Sequence, residues 1–310
     1  MMMLGDGMMS LRLVSPRRSL LLLRFLLVAT LLGAGFWIRG LSAVHATAGS
    51  AKWWPWQKAT VVTLYFPDGQ VLLPVSRRMP ANVDLPRAVL QALLAGPSAS
   101  SGLTNPMPHG VEIRSFKLAG GVAQIDLSGA VRDQRGEIHS AETAIVETMT
   151  ALPGVSSVAL SIEGAPLAEP AKRVPLLYYA SANGLVAVPA AVTTPRAAVD
   201  AFLAGPVDPE LTGLPRDIRL LKYEHDPIEG TVSLNFSYTP SVRELAVDKP
   251  ERMRFALLGL ITTLTELPRV RTVQLDFEGR TRLDLGQCSD LLRTPQPRPE
   301  LLNDERLLGR

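Results

Sequence analysis

Two glutamates, Glu163 and Glu278, share one setting: each is followed by glycine, as Glu163-Gly164 and Glu278-Gly279. A second matched pair, Asp126 and Asn235, stands at outward positions of two similar alternating segments. Two carboxylates flanking a sugar bond are the equipment of a glycoside hydrolase. The amide at Asn235 removes that mechanism from the second copy, so no shared two-carboxylate chemistry is expected. Glu163 and Glu278 then read in one of two ways. They are strand-end acids before a turn, or they contact a partner or order a neighbouring loop.

The other reactive side chains are scattered. His45, His109, His139 and His225 lie far from one another, and no His-Glu-x-x-His helix brings two together, so a zinc site is not expected. His225, in Glu224-His225-Asp226-Pro227, reads as part of a solvated hairpin turn. Cys288 is the single cysteine, which excludes an internal disulfide and reads as a small buried hydrophobe. No Gly-x-Ser-x-Gly elbow or phosphate-binding loop is present. The reading is a non-enzyme with no catalytic residues, no cofactor and no metal.

These residues recur because the chain repeats itself. Leu64-Tyr65-Phe66 matches Leu177-Tyr178-Tyr179, and Pro86–Pro97 matches Pro195–Pro206 around Leu-Leu-Ala-Gly-Pro and Phe-Leu-Ala-Gly-Pro. Leu152-Pro153 matches Leu267-Pro268. Each copy is long enough to bury a core of its own. Each opens with strand, turn, strand (61–66 and 71–75; 174–179 and 185–188), with Asp68-Gly69 or Asn183-Gly184 as hairpin turns. A helix follows, entered at Pro86 or Pro195 with Thr194 as N-cap, and stopped by Gly96-Pro97 or Gly205-Pro206. A second hairpin returns through Ala123, Ile125, Leu127 or Val232, Leu234, Phe236, apolar at every other place. A second helix (about 140–151; about 250–266) and a last alternating strand complete the order ββαββαβ. The fold class is α+β, a tandem repeat of two small domains, each a mixed sheet with two helices on one face. The join, Ala165–Arg173, is short and contains prolines, which makes the tandem semi-rigid. The stretch after Cys288 carries Pro295, Pro297 and Pro299 among charges and is expected to be mobile.

Charge separates the N-terminus from this body. The 310 residues carry a formal +3. Residues 1–40 hold five arginines and one acid, leaving 27 basic and 28 acidic groups in the rest. The body therefore offers no surplus of cations to phosphates, and nucleic acid is excluded as a partner. The excess flanks an apolar run, Leu20–Ile38, broken only by Arg24. Nineteen helical residues span about 28 Å, near the ~30 Å of a hydrocarbon core. With Arg12, Arg17 and Arg18 before the run, the N-terminus is expected inside and the body outside. Ala46-Thr47-Ala48 leaves signal cleavage open as the alternative. All four tryptophans, Trp37, Trp53, Trp54 and Trp56, lie in or just after this region; they touch the outer leaflet or pack as a linker. The expected layout is a basic cytoplasmic segment 1–19, a transmembrane segment 20–38 and a Trp-rich linker 39–58. The repeats 59–167 and 168–288 and a Pro-rich tail 289–310 follow.

Taken together, Tyr65-Phe66, Leu73-Pro74-Val75-Ser76-Arg77, Leu93-Leu94-Ala95-Gly96-Pro97, Gly102-Leu103, Val122–Ser128, Leu152-Pro153-Gly154-Val155 and Ile162-Glu163-Gly164 resemble the GerMN domain of sporulation and germination proteins. The second copy keeps Phe202–Pro206, Gly213-Leu214, Val232–Ser237 and Phe277-Glu278-Gly279, with Asn235 in place of Asp126. The resemblance covers residues 60–285. It implies a fold like the ring-building motif of secretion-type assemblies, a place outside the cytoplasmic membrane, and a role in assembling the envelope channel of spore formers. The chain departs from lipoprotein members in having no lipobox cysteine, so the apolar run must anchor it. The expected function is a non-catalytic, membrane-anchored scaffold for envelope proteins or for self-assembly, in sporulation or germination. The alternative is a peptidoglycan or glycan binder stacking sugars on Tyr65, Tyr178, Tyr179, Tyr223 and Tyr238.

Overall fold

The computed structural model describes residues 59–68, 71–81, 83–108, 110–128, 135–182, 184–305 and 308. The expected transmembrane segment 20–38, the tryptophans, His45, His109, Gly69 and Asn183 lie outside them. Among the described residues no helix is long and apolar enough to cross a membrane.

The first repeat contains β1 (Ala59–Asp68), β2 (Val71–Pro80), α1 (Leu85–Leu94), β3 (Ile113–Ala119), β4 (Val122–Leu127), α2 (Arg135–Thr150), β5 (Ser157–Ile162) and the short β6 (Ala165–Pro166). The second contains β7 (Leu176–Ala180), β8 (Leu185–Pro189), α3 (Pro195–Ala204), β9 (Leu220–Asp226), β10 (Thr231–Phe236), α4 (Pro240–Asp248), α5 (Pro250–Thr265) and β11 (Thr272–Phe277). The C-terminal stretch adds α6 (Asp290–Arg293) and β12 (Gln296–Pro297). The local chemistry is the one the sequence implies. Thr194 Oγ1 accepts from Ala197 N at 3.2 Å, and Gly96 and Gly205 take the positive φ that ends each helix. Helix α4 was not expected, yet it has the same signal, Thr239 at the cap and Pro240 in the first turn.

The sheets differ from the expected arrangement. The opening hairpins leave their own repeats and pair with each other, forming one antiparallel sheet of order β1-β2-β8-β7. The remaining strands form two mixed sheets, β3-β4-β5-β6 and β12-β11-β10-β9, with β4 parallel to β5 and β10 parallel to β11. The reason lies in the apolar runs. Every residue of β7 is buried, as are Leu64, Tyr65 and Phe66. A strand apolar on both faces needs cover on both, which two helices on one face cannot give. The outer edges of the shared sheet, β1 and β7, are closed by α2 and α5. Thr148 Oγ1 accepts from Tyr65 N at 3.0 Å, and Thr263 Oγ1 from Tyr178 N at 2.9 Å. Side-chain hydroxyls thus satisfy edge-strand amides in the same way in both repeats. Gly259 lets α5 come this close, since a Cβ there would run into the Tyr178 carbonyl.

The expected mobile tail is instead part of the body. Leu291 and Leu292 are buried in the second core, and β12 pairs with β11. Leu302 is buried against the shared sheet. The apolar Leu291, Leu292 and Leu302 are sufficient reason for docking, which the flanking prolines and charges obscured. His225 is likewise not in a turn. It is the penultimate residue of β9, opposite Val232 on the inward face.

Candidate functional site at the seam of the repeats

The matched polar residues are assigned first. Glu163 and Glu278 both have φ of 51°, followed by Gly164 at 79° and Gly279 at 70°. Two successive left-handed residues make the turn that leaves the last strand. The turn is held from the neighbouring strand: Asp126 Oδ1 accepts from Gly164 N at 2.8 Å, and Asn235 Oδ1 accepts from Gly279 N at 2.9 Å. An amide oxygen serves as well as a carboxylate, which accounts for Asn235. The Gly164 N–H, then the Ser161 hydroxyl, hold the Asp126 carboxyl below its usual range. Glu278 also orders a loop, its Oε1 accepting from Tyr238 N at 3.0 Å. Glu163 and Glu278 belong to different sheets and share no site.

Burial pushes the Cys288 thiol up to about 11, the reverse of an activated nucleophile. Among the described residues no three His, Cys, Asp or Glu side chains are grouped to hold a metal ion. Three of the five tyrosines named for sugar stacking, Tyr65, Tyr178 and Tyr179, are buried. Tyr223 lies beneath the Arg196 guanidinium at 5.5 Å, and Tyr238 packs edge-on against Phe277.

The structure gathers a different set, at the seam. Tyr65 and Tyr178 hold the same place in the two repeats, on outer strands β1 and β7. Their side chains reach inward across one face of the shared sheet until the hydroxyls meet at 2.7 Å. Arg173 Nη2 donates to Tyr65 Oη at 2.7 Å, and Tyr178 Oη donates to Glu266 Oε1 at 2.6 Å. Tyr65 Oη also reaches the same Glu266 oxygen at 3.2 Å, and Arg173 Nη2 reaches Tyr178 Oη at 3.4 Å, so the two phenols share one network between the Arg173 cation and the Glu266 anion. Arg173 also pairs with Glu266 at 2.8 Å and Glu147 at 3.3 Å, and Arg298 pairs with Glu266. Two cations thus face two carboxylates, the balance that low-dielectric burial demands. Burial, then the charge of Glu266, pushes both phenols above their ordinary value. Burial likewise pushes the Glu147 carboxyl up, against the opposing pull of Arg173.

The two arginines are counterparts, though no pattern in the sequence pairs them. Ala171 bridges Val158 on β5, and Gln296 pairs with Val273 on β11. Val158 and Val273 are equivalent, so Arg173 and Arg298 each follow two residues after an equivalent edge contact. In both repeats the chain leaving the last strand delivers one arginine to the seam.

The central strands meet through Leu72 opposite Ala187. Continuing that antiparallel register sets Leu73 opposite Val186 and Pro74 opposite Leu185. Proline has no N–H for the last rung, and the Asn303 side chain fills the gap. Its Nδ2 donates to Pro74 O at 2.8 Å and Leu185 O at 2.7 Å, while its Oδ1 accepts from Leu185 N at 2.8 Å. Its carbonyl accepts from Ser76 N at 3.0 Å. Gly184 makes room, because a Cβ there would collide with Asn303 Oδ1. Two residues on, Glu305 pairs with Arg77 at 2.9 Å and accepts from Ser98 N. Sequence reasoning missed Arg173, Arg298 and Asn303, all of them in segments read as join or tail.

The opposite face of the same seam is open. A cleft of ≈ 880 Å³ lies over Leu73 and Val186, between the loop at Ser101–Leu103 and the loop at Asp208–Leu211. One face of the seam is therefore a filled polar lock, and the other is a groove walled by equivalent loops of both repeats.

A family model for Germane, described as sporulation and spore germination, matches residues 63–168 and 176–283. Among solved structures the chain is similar to the tandem GerMN domains of the sporulation protein GerM from Bacillus subtilis. Identity is 18%, over 80% of this chain and 99% of that one, with a TM-score of 0.61. It is also similar to the first GerMN domain of that protein, at 17% identity over 37% of this chain and 98% of that one, TM-score 0.30. No curated protein matches. The TM-score of 0.61 is a likeness of fold. The two family matches fall on the two repeats and cover more than half of the 310 residues, and the chain thus belongs to the Germane family of sporulation and spore germination.

Proposed function

We propose that the chain is a non-catalytic, membrane-anchored envelope protein whose paired repeats act as one assembly or protein-binding module in sporulation or germination. The family supports the process. The run Leu20–Ile38 with its flanking arginines supports an anchor whose C-terminal body lies outside the membrane. The observation that carries the module reading is the seam. Its charged groups are spent on one another, and the repeats share a sheet, so they present one rigid surface for partners.

The test is recovery of the full chain from envelope membranes of a sporulating host after cross-linking. The expected result is a membrane-bound chain cross-linked to an envelope protein or to a second copy, with a sporulation or germination defect on deletion. A chain found in the cytoplasm, or one that is monomeric and recovers no partner, would overturn the proposal. The glycan-binding alternative has Tyr223 and Tyr238 left as stacking surfaces, both half-buried; sedimentation with purified cell wall separates the two readings.

A further inference from the structure

The seam cleft has a pattern of its own. Its lining is largely apolar: Leu73, with the buried Val186 as the equivalent residue on the adjacent strand, flanked by Leu103, Leu211 and Leu308. The cleft runs across the two central strands between the loops of both repeats, an elongated shape that a segment of chain can follow from one repeat to the other. The volume, ≈ 880 Å³, lies within the range of about 300–1,000 Å³ typical of binding clefts.

Among the described lining residues the charge is one-sided. Asp68, Asp208 and Glu210 line the cleft, with Arg252 the single base among its described lining residues. None of the three acids is engaged in an ion pair among the described residues. Two of them stand on the second repeat's loop. The corresponding loop of the first repeat reads Ser98-Ala99-Ser100-Ser101 and carries no charge. The two walls come from the loops that follow the first helix of each repeat, the second two residues longer, and only that one is acidic, so an occupant is oriented as well as attracted.

We infer that this cleft docks an extended segment of a partner protein, small apolar residues on the floor and lysine or arginine against the acidic wall. The inference deepens the protein-binding reading and rests on it.

The test uses the full chain in detergent micelles and two labelled peptides. One has alternating valine and alanine flanked by lysines; the other has glutamates in place of the lysines. The lysine peptide is expected to bind saturably at low salt and to be released as salt screens the contact. The glutamate peptide is expected not to bind. Asp208→Asn with Glu210→Gln, both exposed and safe for folding, should weaken binding about tenfold, which is roughly 1.4 kcal/mol. Leu73→Ser should weaken it again, with an unchanged circular dichroism spectrum as the folding control. Equal binding of both peptides, or binding indifferent to these substitutions, would overturn the inference. So would a partner from the envelope cross-linking whose affinity is untouched by Asp208→Asn and Glu210→Gln, although the module reading would then stand. Failure to recover any partner would remove both.

Discussion

The hydroxyls of Tyr65 and Tyr178 meet at 2.7 Å, across 113 positions of sequence. They are the same residue of two repeats, so the local two-fold relation between the repeats runs between their rings. The contact sits inside a network between the Arg173 cation and the Glu266 anion, both of which touch both hydroxyls, an arrangement in which the bonds strengthen one another.

Removing one hydroxyl breaks that network and leaves a buried charged partner short of a bond. Tyr178→Phe, which strips a donor from Glu266, is expected to cost about 2 kcal/mol in urea unfolding, and Tyr65→Phe a similar amount. The double variant should cost clearly less than the sum, because both singles break the same network. Strict additivity would show that the hydroxyls act independently.

Both phenols have pKa values raised above the ordinary 10.0 by burial, with Glu266 adding to it. The folded chain therefore keeps protons that the unfolded chain gives up. Their contribution to stability is complete below pH 10 and is lost as pH climbs through the raised values. Urea midpoints should fall above about pH 10, less steeply in the Tyr65→Phe, Tyr178→Phe variant. Identical slopes would place the alkaline loss elsewhere.

Asn303 supplies a rung that Pro74 cannot. Asn303→Ala would leave the Leu185 N–H without its acceptor and the Pro74 and Leu185 carbonyls without their donor, for an expected loss of about 3 kcal/mol. Gly184→Ala should be comparably harmful, since its methyl group meets Asn303 and its φ of 145° suits glycine. Limited proteolysis gives an independent reading. Cleavage beyond Thr294 is expected to be slow in the native chain and fast in either variant.

Asp126 holds the Glu163-Gly164 turn as an acceptor, not as an acid. Asp126→Asn should leave the melting temperature within about 2 °C of the native value, while Asp126→Ala lowers it by more. A large loss in Asp126→Asn would mean that the negative charge itself is needed, for instance by Arg114, 3.8 Å away.

Most of the secondary structure is legible in the sequence. The Ala-Gly-Pro stops, the Thr194-Pro195 entry and the alternation through Ile125 and Leu234 state their geometry locally. What could not be read is which strands pair at a distance. Alternation tells which residues of β2 face inward, and it is silent on whether its free edge meets a strand of its own repeat or of the other. The buried tyrosines carried a warning, since Leu64-Tyr65-Phe66 is apolar without interruption and so had to be covered on both sides. Arg173 and Arg298 were beyond reach of pattern: they are equivalent only by their distance from an edge contact. The seam stayed hidden for the same reason, because Asn303 satisfies strands more than a hundred residues away.

The seam has the form of an isologous contact: a patch meeting its own equivalent about a two-fold axis, as in a symmetric dimer. Here the two halves are covalently one. In a true dimer every residue must suit both sides at once. In this chain each half is free to differ, and several places already do: Glu266 stands where the first repeat has Ala151, Asn235 where it has Asp126, and the loop with Asp208 and Glu210 is matched by the uncharged Ser98–Ser101. With both halves in one chain, a self-complementary contact has acquired a direction, so the molecule can present two distinct sides to whatever it meets.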